Sequence, residues 1–154
     1  MENSPLPSHN FQDREGSWNP KVVAFCCNWC AYAGADLAGM TRRQCSTNVR
    51  IVRVMCSGRV SPGMILRALI SGADGVMVLG CHPGDCHYRG GNFHAQNRVT
   101  MVKELLALAG IEPSRVLLRW VSASEGDLFV QTVNDFVANL HRLGPLGGSD
   151  GSAV

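Results

Sequence analysis

Six of the seven cysteines fall in three short segments: Phe25-Cys26-Cys27-Asn28-Trp29-Cys30, Val54-Met55-Cys56-Ser57-Gly58 and Gly80-Cys81-His82-Pro83-Gly84-Asp85-Cys86-His87. Each follows an apolar run and breaks abruptly into small and polar residues. Thiolates are soft ligands, and four of them make the ordinary ligand set of an iron–sulfur cluster. Sulfur from three separate segments serves one centre only if the fold brings those segments together. The elements that carry them must therefore end side by side.

The flanking pattern supplies such elements. Residues 21–25 and 48–55 are β-branched runs that stop at Cys26 and Cys56, and 75–79 is a nearly all-apolar third strand, as expected for one covered on both faces. Residues 116–121 read as a fourth strand. Helices fall between them. Residues 31–40 are Ala-rich, although Gly34 and Gly39 weaken that helix. Ser61-Pro62 offers an N-cap with proline at the first helical position, ahead of 64–70. Residues 92–109 place Val99, Val102, Leu105, Leu106 and Ala109 at helical spacing. Ser124 with Asp127 marks the start of a last helix whose buried stripe is Leu128, Val133, Phe136, Val137 and Leu140.

Four β-α repeats imply right-handed crossovers and the α/β class: a three-layer α/β/α domain with a four-stranded parallel sheet of flavodoxin-like type. The expected strand order is 2-1-3-4. Strand 1 then lies between strands 2 and 3, and the three cysteine-bearing ends are neighbours about 4.8 Å apart. In open parallel sheets chemistry collects at the carboxyl ends of strands.

A chain of 154 residues, 45% hydrophobic and 17% charged, suits one globular domain. The expected organisation is a flexible N-terminal extension over 1–17, an iron–sulfur α/β domain over 18–144 and a flexible tail over 145–154. No apolar run reaches the roughly 18 residues of a membrane helix, and the polar N-terminus lacks the apolar stretch of a secretory signal. Seven cysteines without an export signal point to a reducing compartment, so the expected location is cytoplasmic. The net charge of +2 does not imply nucleic-acid binding. Between Asp36 and Asp74, however, there is no acidic residue, while Arg42, Arg43, Arg50, Arg53, Arg59 and Arg67 all fall inside. That stretch reads as a solvated basic face, a docking surface, or positive potential near an anionic centre. It holds no aromatic residue for base stacking.

Three chemistries compete for the cysteines. Cys27-Asn28-Trp29-Cys30 at a helix start is where a thioredoxin-like dithiol oxidoreductase keeps its thiols, but it needs neither Cys56 nor Cys81. A structural zinc adaptor favours paired C-x-x-C knuckles, and only one is present. An iron–sulfur cluster accepts thiolates dispersed over several strands and fits best. Cys45, in a polar connector, reads as a small apolar residue, as does Cys26, whose side chain alternates with that of Cys27. His82 and His87 read as hydrogen-bond donors around the centre rather than ligands, and Trp29 and Tyr32 as packing residues that screen it. There is no G-x-G-x-x-G, no Walker loop and no G-x-S-x-G. A redox centre without a substrate motif suggests an electron conduit.

These residues resemble one family closely. The runs Phe25 to Gly39, Arg50 to Arg59, Gly72 to Val76, Gly80 to Tyr88 and Ser122 to Gly126 are similar to the delta subunit of methyl-viologen-reducing hydrogenase, over roughly 18–144. The resemblance implies one [2Fe–2S] cluster in an electron-transfer subunit with no substrate site of its own. By the same resemblance, the partners are a catalytic oxidoreductase such as a hydrogenase or formate dehydrogenase, and the flavoprotein subunit of a heterodisulfide-reductase-type complex, capable of flavin-based electron bifurcation. Its implied ligand pool is Cys27, Cys30, Cys56, Cys81 and Cys86. The expected four are Cys27, Cys30, Cys56 and Cys81, with Cys86 as substitute. No nucleic-acid or membrane partner is implied, and the hydrogenase activity itself does not transfer.

Overall fold

A computed structural model describes residues 18–147. The regions 1–17 and 148–154, which include the expected extension and most of the expected tail, lie outside the described residues. The elements run β1 (Val22–Cys27), α1 (Ala31–Met40), β2 (Val49–Val54), a 3₁₀ turn (Ser57–Arg59), α2 (Pro62–Ile70), β3 (Gly75–Gly80), α3 (Gly91–Leu108), a second 3₁₀ turn (Pro113–Arg115), β4 (Val116–Trp120) and α4 (Gly126–Leu143). All strand pairs are parallel, in the order β2-β1-β3-β4. The expected three-layer α/β/α architecture and strand order are those observed.

Alternation along the strands sorts the side chains onto two cores. Val22, Ala24 and Cys26 of β1 and Met77 and Leu79 of β3 pack under α1 and α4, with Phe129, Val133, Phe136, Val137 and Leu140. Phe25 of β1 and Val76 and Val78 of β3 face α2 and α3, meeting Ile65, Leu69, Val99, Val102 and Leu106. β3 is buried along its whole length, as its unbroken apolar sequence requires. The edge strand β2 is the opposite: Arg50, Ile51, Val52 and Arg53 are all exposed.

The local signals that set the helices differ. Ser61 accepts the Met64 N–H at 3.2 Å, with Pro62 at the first helical position, so α2 begins where its residues predict. α4 begins later than the Ser124 signal suggests. Its N-cap is Glu125, whose side chain leaves the helix and accepts the Ser122 N–H at 2.7 Å. On α3 the periodic residues divide between two faces. Val99, Val102 and Leu106 are buried, whereas Leu105 and Ala109 lie on the outside.

Parallel strands place every strand start on one edge of the sheet and every cysteine-bearing end on the other. At the starting edge, one carboxylate gathers distant chain segments. Asp74 accepts the Lys21 N–H at 2.8 Å and the Leu146 N–H at 3.1 Å. The buried Arg115 guanidinium donates to the Asp74 carbonyl at 3.1 Å and to the Gly144 carbonyl at 2.8 Å. These carbonyl partners satisfy a group that burial would otherwise penalise heavily.

Candidate metal centre

β1 runs two residues further than its apolar stretch, to Cys27, and this decides which cysteine points where. Cys26 turns into the α1–α4 core, 0% exposed, with its thiol toward the Ala24 carbonyl at 3.7 Å; burial pushes that thiol up to about 12. Cys27 emerges at the carboxyl edge. Cys30 stands at the N-cap of α1, and Cys81 directly follows β3. Because β1 and β3 are adjacent, their sulfurs meet: Cys27 and Cys81 Sγ are 3.7 Å apart, Cys30 and Cys81 Sγ 2.9 Å. Both separations far exceed the roughly 2.05 Å of a disulfide, and all seven cysteines are free. Cys27, Cys30 and Cys81 are buried, with sulfurs within 4.8 Å of one another.

Cys56 and Cys86 form a second sulfur group beside the first. Cys56 caps the first 3₁₀ turn, its sulfur accepting the Gly58 N–H at 3.4 Å. Burial raises its thiol, the Gly58 N–H opposes this, and the charges of Cys86 and Cys27 raise it further. Cys86 lies in the loop before α3. Burial acts to raise its thiol too, but the backbone N–H groups of Tyr88, Asn92 and Gly91 with the Cys56 thiol outweigh it and lower the pKa. Two of those amides belong to the first turn of α3, whose N–H groups have no helical partner and favour negative charge.

Close backbone packing holds the second group in place. A Cβ on Gly91 would collide with Cys56 Sγ and come within 3.4 Å of Cys86 Sγ, and a Cβ on Gly58 would meet the Gly91 backbone at 2.8 Å. Only glycine at both positions lets the turn and the helix start touch here. Arg98, two turns along α3, donates to the Gly58 and Val60 carbonyls and pins the same pair of segments. The Asn92 side chain donates to the Cys81 and His82 carbonyls at 3.3 and 3.0 Å, tying the β3 loop to α3.

Electrostatics bear on what this pocket can hold. Cys27 is pulled down to about 5, chiefly by the Cys30 thiol, with the Trp29 N–H, Cys81 thiol and Ser57 N–H adding to it against burial. Cys30 is driven far up by Cys27, by burial and by Cys81, and burial raises Cys81 to about 11. In the bare protein the cluster thus favours a thiolate at Cys27 and disfavours one at Cys30 and Cys81. A cationic group bound among them would remove that restriction, because metal coordination deprotonates thiols. The donor set thus fits an iron–sulfur group or another thiolate-bound metal. The depressed Cys27 also resembles a dithiol nucleophile, but its side chain is only 1% exposed, and thiol exchange requires access to the attacking sulfur.

No histidine nitrogen joins the clustered sulfurs among the described residues. His82 Nε2 lies 2.8 Å from Glu125 Oε2. Glu125 titrates below the usual carboxylate range because the Ser122 N–H and then His82 stabilise its charge. His87 stacks on Trp29 with ring centroids 4.0 Å apart. Trp29 Nε1 donates to the Tyr88 hydroxyl at 3.4 Å, so this stack bridges the Cys27–Cys30 and Cys81–Cys86 loops. Trp29 lines the same cavity as Cys30 and Cys81 and is 45% exposed. Tyr32 is half-buried beneath the Arg53 guanidinium, 5.1 Å from the ring centroid. Cys45 is exposed in the connector before β2, apart from both sulfur groups. The Glu125–His82 pair spans 43 residues, and no local sequence pattern signals it.

Comparison with known proteins gives a consistent result. The family profile described as methyl-viologen-reducing hydrogenase, delta subunit, matches residues 22–144. The vhc iron-sulfur subunit of the F420-non-reducing hydrogenase of Methanococcus voltae is 53% identical over 129 residues, covering 84% of this chain and 90% of that protein. An iron-sulfur subunit of the F420-non-reducing hydrogenase of Archaeoglobus profundus is 50% identical over 128 residues, 83% of this chain and 93% of the relative. A subunit of the ferredoxin/F420H2-dependent CoB-CoM heterodisulfide reductase of Methanosarcina acetivorans is also 50% identical over 128 residues, but these are 16% of a much longer polypeptide.

Proposed function

The chain belongs to the delta-subunit family of methyl-viologen-reducing hydrogenase, and on that premise we propose that it is an electron-transfer subunit holding a [2Fe–2S] cluster. The observation that carries the reading is the meeting of Cys27, Cys30 and Cys81 at adjacent strand ends, with Cys56 and Cys86 beside them. Cys27, Cys30, Cys56 and Cys81 are the proposed ligands, with Cys86 able to replace one of them. When bound, such a cluster supplies one-electron chemistry at a potential set by its surroundings. The protein's own residues hold the sulfurs together, donate backbone N–H groups to Cys27 and Cys86, and limit water access through the Trp29–His87 stack.

The partners we propose are a catalytic oxidoreductase, such as a hydrogenase or formate dehydrogenase, and the flavoprotein subunit of a heterodisulfide-reductase-type complex, where flavin-based bifurcation takes place. The same domain stands alone in the hydrogenase subunits and forms part of the longer heterodisulfide reductase polypeptide, which supports an association with both. No described helix is long and apolar enough to cross a membrane, and free cysteines suit the proposed cytoplasmic location. Anaerobically purified protein is expected to contain about two irons and two acid-labile sulfides per chain, with a reduced-state EPR signal. Stoichiometric zinc without visible absorption would end this reading in favour of a structural site.

A further inference from the structure

The two lateral edges of the sheet are finished differently. On one side, β4 packs Leu117 against the α1–α4 core and Leu118 against the α2–α3 core, and only Arg119 is exposed. On the other side, only the end residues of β2, Val49 and Val54, reach a core. Between them Arg50, Ile51, Val52 and Arg53 are all exposed, Ile51 by 43% and Val52 by 40%. Their neighbours in register on β1, Ala24 for Ile51 and Phe25 for Val52, are buried. The helices therefore cover β1 and stop short of β2. Because successive side chains alternate, one bare aliphatic residue lies on each face of the strand.

The outer backbone of β2 is open as well. The Asn48 and Val54 carbonyls accept the Val22 and Asn28 N–H groups at 3.0 and 2.7 Å. In a parallel ladder alternate residues bond to opposite sides, so Val49, Ile51 and Arg53 turn their N–H and C=O groups away from β1. These groups have no hydrogen-bond partner among the described residues. An uncovered edge of apolar, β-branched residues with unpaired backbone is a template for a further strand.

Charge selects which strand. Arg50 and Arg53 bracket the two aliphatic residues, one on each face, and neither forms an ion pair among the described residues. Arg53 lies over the Tyr32 ring, 5.1 Å from its centroid, and Arg50 donates to the Thr47 carbonyl at 3.3 Å. No acidic residue occurs between Asp36 and Asp74 to balance them. Pairing with a second copy of β2 would gather four arginines, two from each copy, and no carboxylate along the seam, and like charges across strands are destabilising. Arginines on an edge repel cationic or identical strands. The same charges attract an acidic one.

We infer that β2 is a docking edge for an extended acidic segment of another protein, which adds to the sheet as a fifth strand. Backbone pairing supplies affinity, and the side chains supply selection. Opposite Arg50-Ile51-Val52-Arg53 the complementary run is acidic, apolar, apolar, acidic. This surface is the side of the sheet rather than its cysteine-bearing end, and the inference does not depend on what the sulfurs hold.

The test uses the full chain and a capped peptide, Thr-Thr-Glu-Val-Ile-Glu-Thr-Thr, with amide hydrogen exchange followed residue by residue by NMR. In the free chain the Val49, Ile51 and Arg53 amides should exchange fast, and those of Arg50, Val52 and Val54 slowly. The peptide should slow the first three. A peptide with Lys in place of Glu, or polyglutamate of the same length, should not. Arg50→Glu with Arg53→Glu should weaken binding of the Glu peptide about tenfold or more and gain binding of the Lys peptide, with exchange elsewhere in the sheet unchanged. Arg119→Glu, on the opposite edge, should bind as wild type does. A Glu peptide that leaves the three amides unprotected at millimolar concentration overturns the assignment, as does equal protection by the Lys peptide. Polyglutamate that protects as well as the peptide would make β2 a general anion surface instead of a pairing edge. Protection in the free chain that grows with protein concentration would give the edge to a second copy.

Discussion

The two sulfur groups at the carboxyl edge are built by different means. Cys27, Cys30 and Cys81 are buried, one at the end of β1, one at the N-cap of α1 and one after β3; the titration of Cys27 and Cys30 is set chiefly by each other and that of Cys81 first by burial. Cys56 caps a 3₁₀ turn and Cys86 stands in a loop, where the Tyr88 N–H and then the Asn92 and Gly91 N–H groups at the start of α3 favour a Cys86 thiolate. In the first group, adjacent strands do the positioning, and the contact between Cys27 and Cys30 lowers the first thiol while raising the second. In the second, a helix terminus provides charge stabilisation and two glycines provide proximity. One site therefore draws on sheet topology for one half and on close local backbone packing for the other.

The sharpest way to break this comparison is to remove the sulfur that both members of the Cys27–Cys30 motif contact. Cys81→Ser should abolish metal retention, leaving iron content near zero by colorimetric assay and no reduced-state EPR signal. Retention of the wild-type signal would mean the buried group is not required to hold the metal. Gly91→Ala attacks the other half. The added methyl strikes Cys56 Sγ, and overpacking of this kind costs about 1–3 kcal/mol. Denaturant unfolding should register that loss, and iron content should fall without disappearing.

A smaller effect separates the groups by reactivity. In the metal-free protein at about pH 7, iodoacetamide should modify Cys86 before the more exposed Cys45. Amide hydrogen bonds lower the former thiol, whereas partial desolvation by its surroundings, only partly opposed by the Ser46 N–H, raises the latter. The preference should shrink as pH rises toward the ordinary thiol range, where both ionise. Peptide mass spectrometry after timed quenching reads the order. Labelling of Cys45 first would remove the claimed role of the α3 amides. Cys45→Ser is expected to leave metal content and EPR spectrum unchanged.

Much of this arrangement was legible in the residues because it depends on alternation of elements and the handedness of parallel crossovers. A β-branched run stopping at Cys56 and an all-apolar run stopping near Cys81 suffice to place those residues at one sheet edge. Gly34 was legible only as a weakness in α1; its reason is tertiary, since a Cβ there would meet the Ser122 carbonyl at 2.8 Å. Leu105 satisfies helical periodicity yet is 45% exposed, because α3 also carries apolar residues on its outer face. The division of five sulfurs into three and two was not readable, as it depends on where β1 stops and how closely Gly58 approaches Gly91.

The Asp74 carboxylate at the far edge has a consequence for architecture. It holds backbone on both sides of the folded unit, at Lys21 and at Leu146, so polypeptide enters and leaves at one place. That place lies a full strand length from the cysteines. Both ends of the described domain are thus tied to a single carboxylate, leaving the cysteine-bearing end of the sheet clear of them.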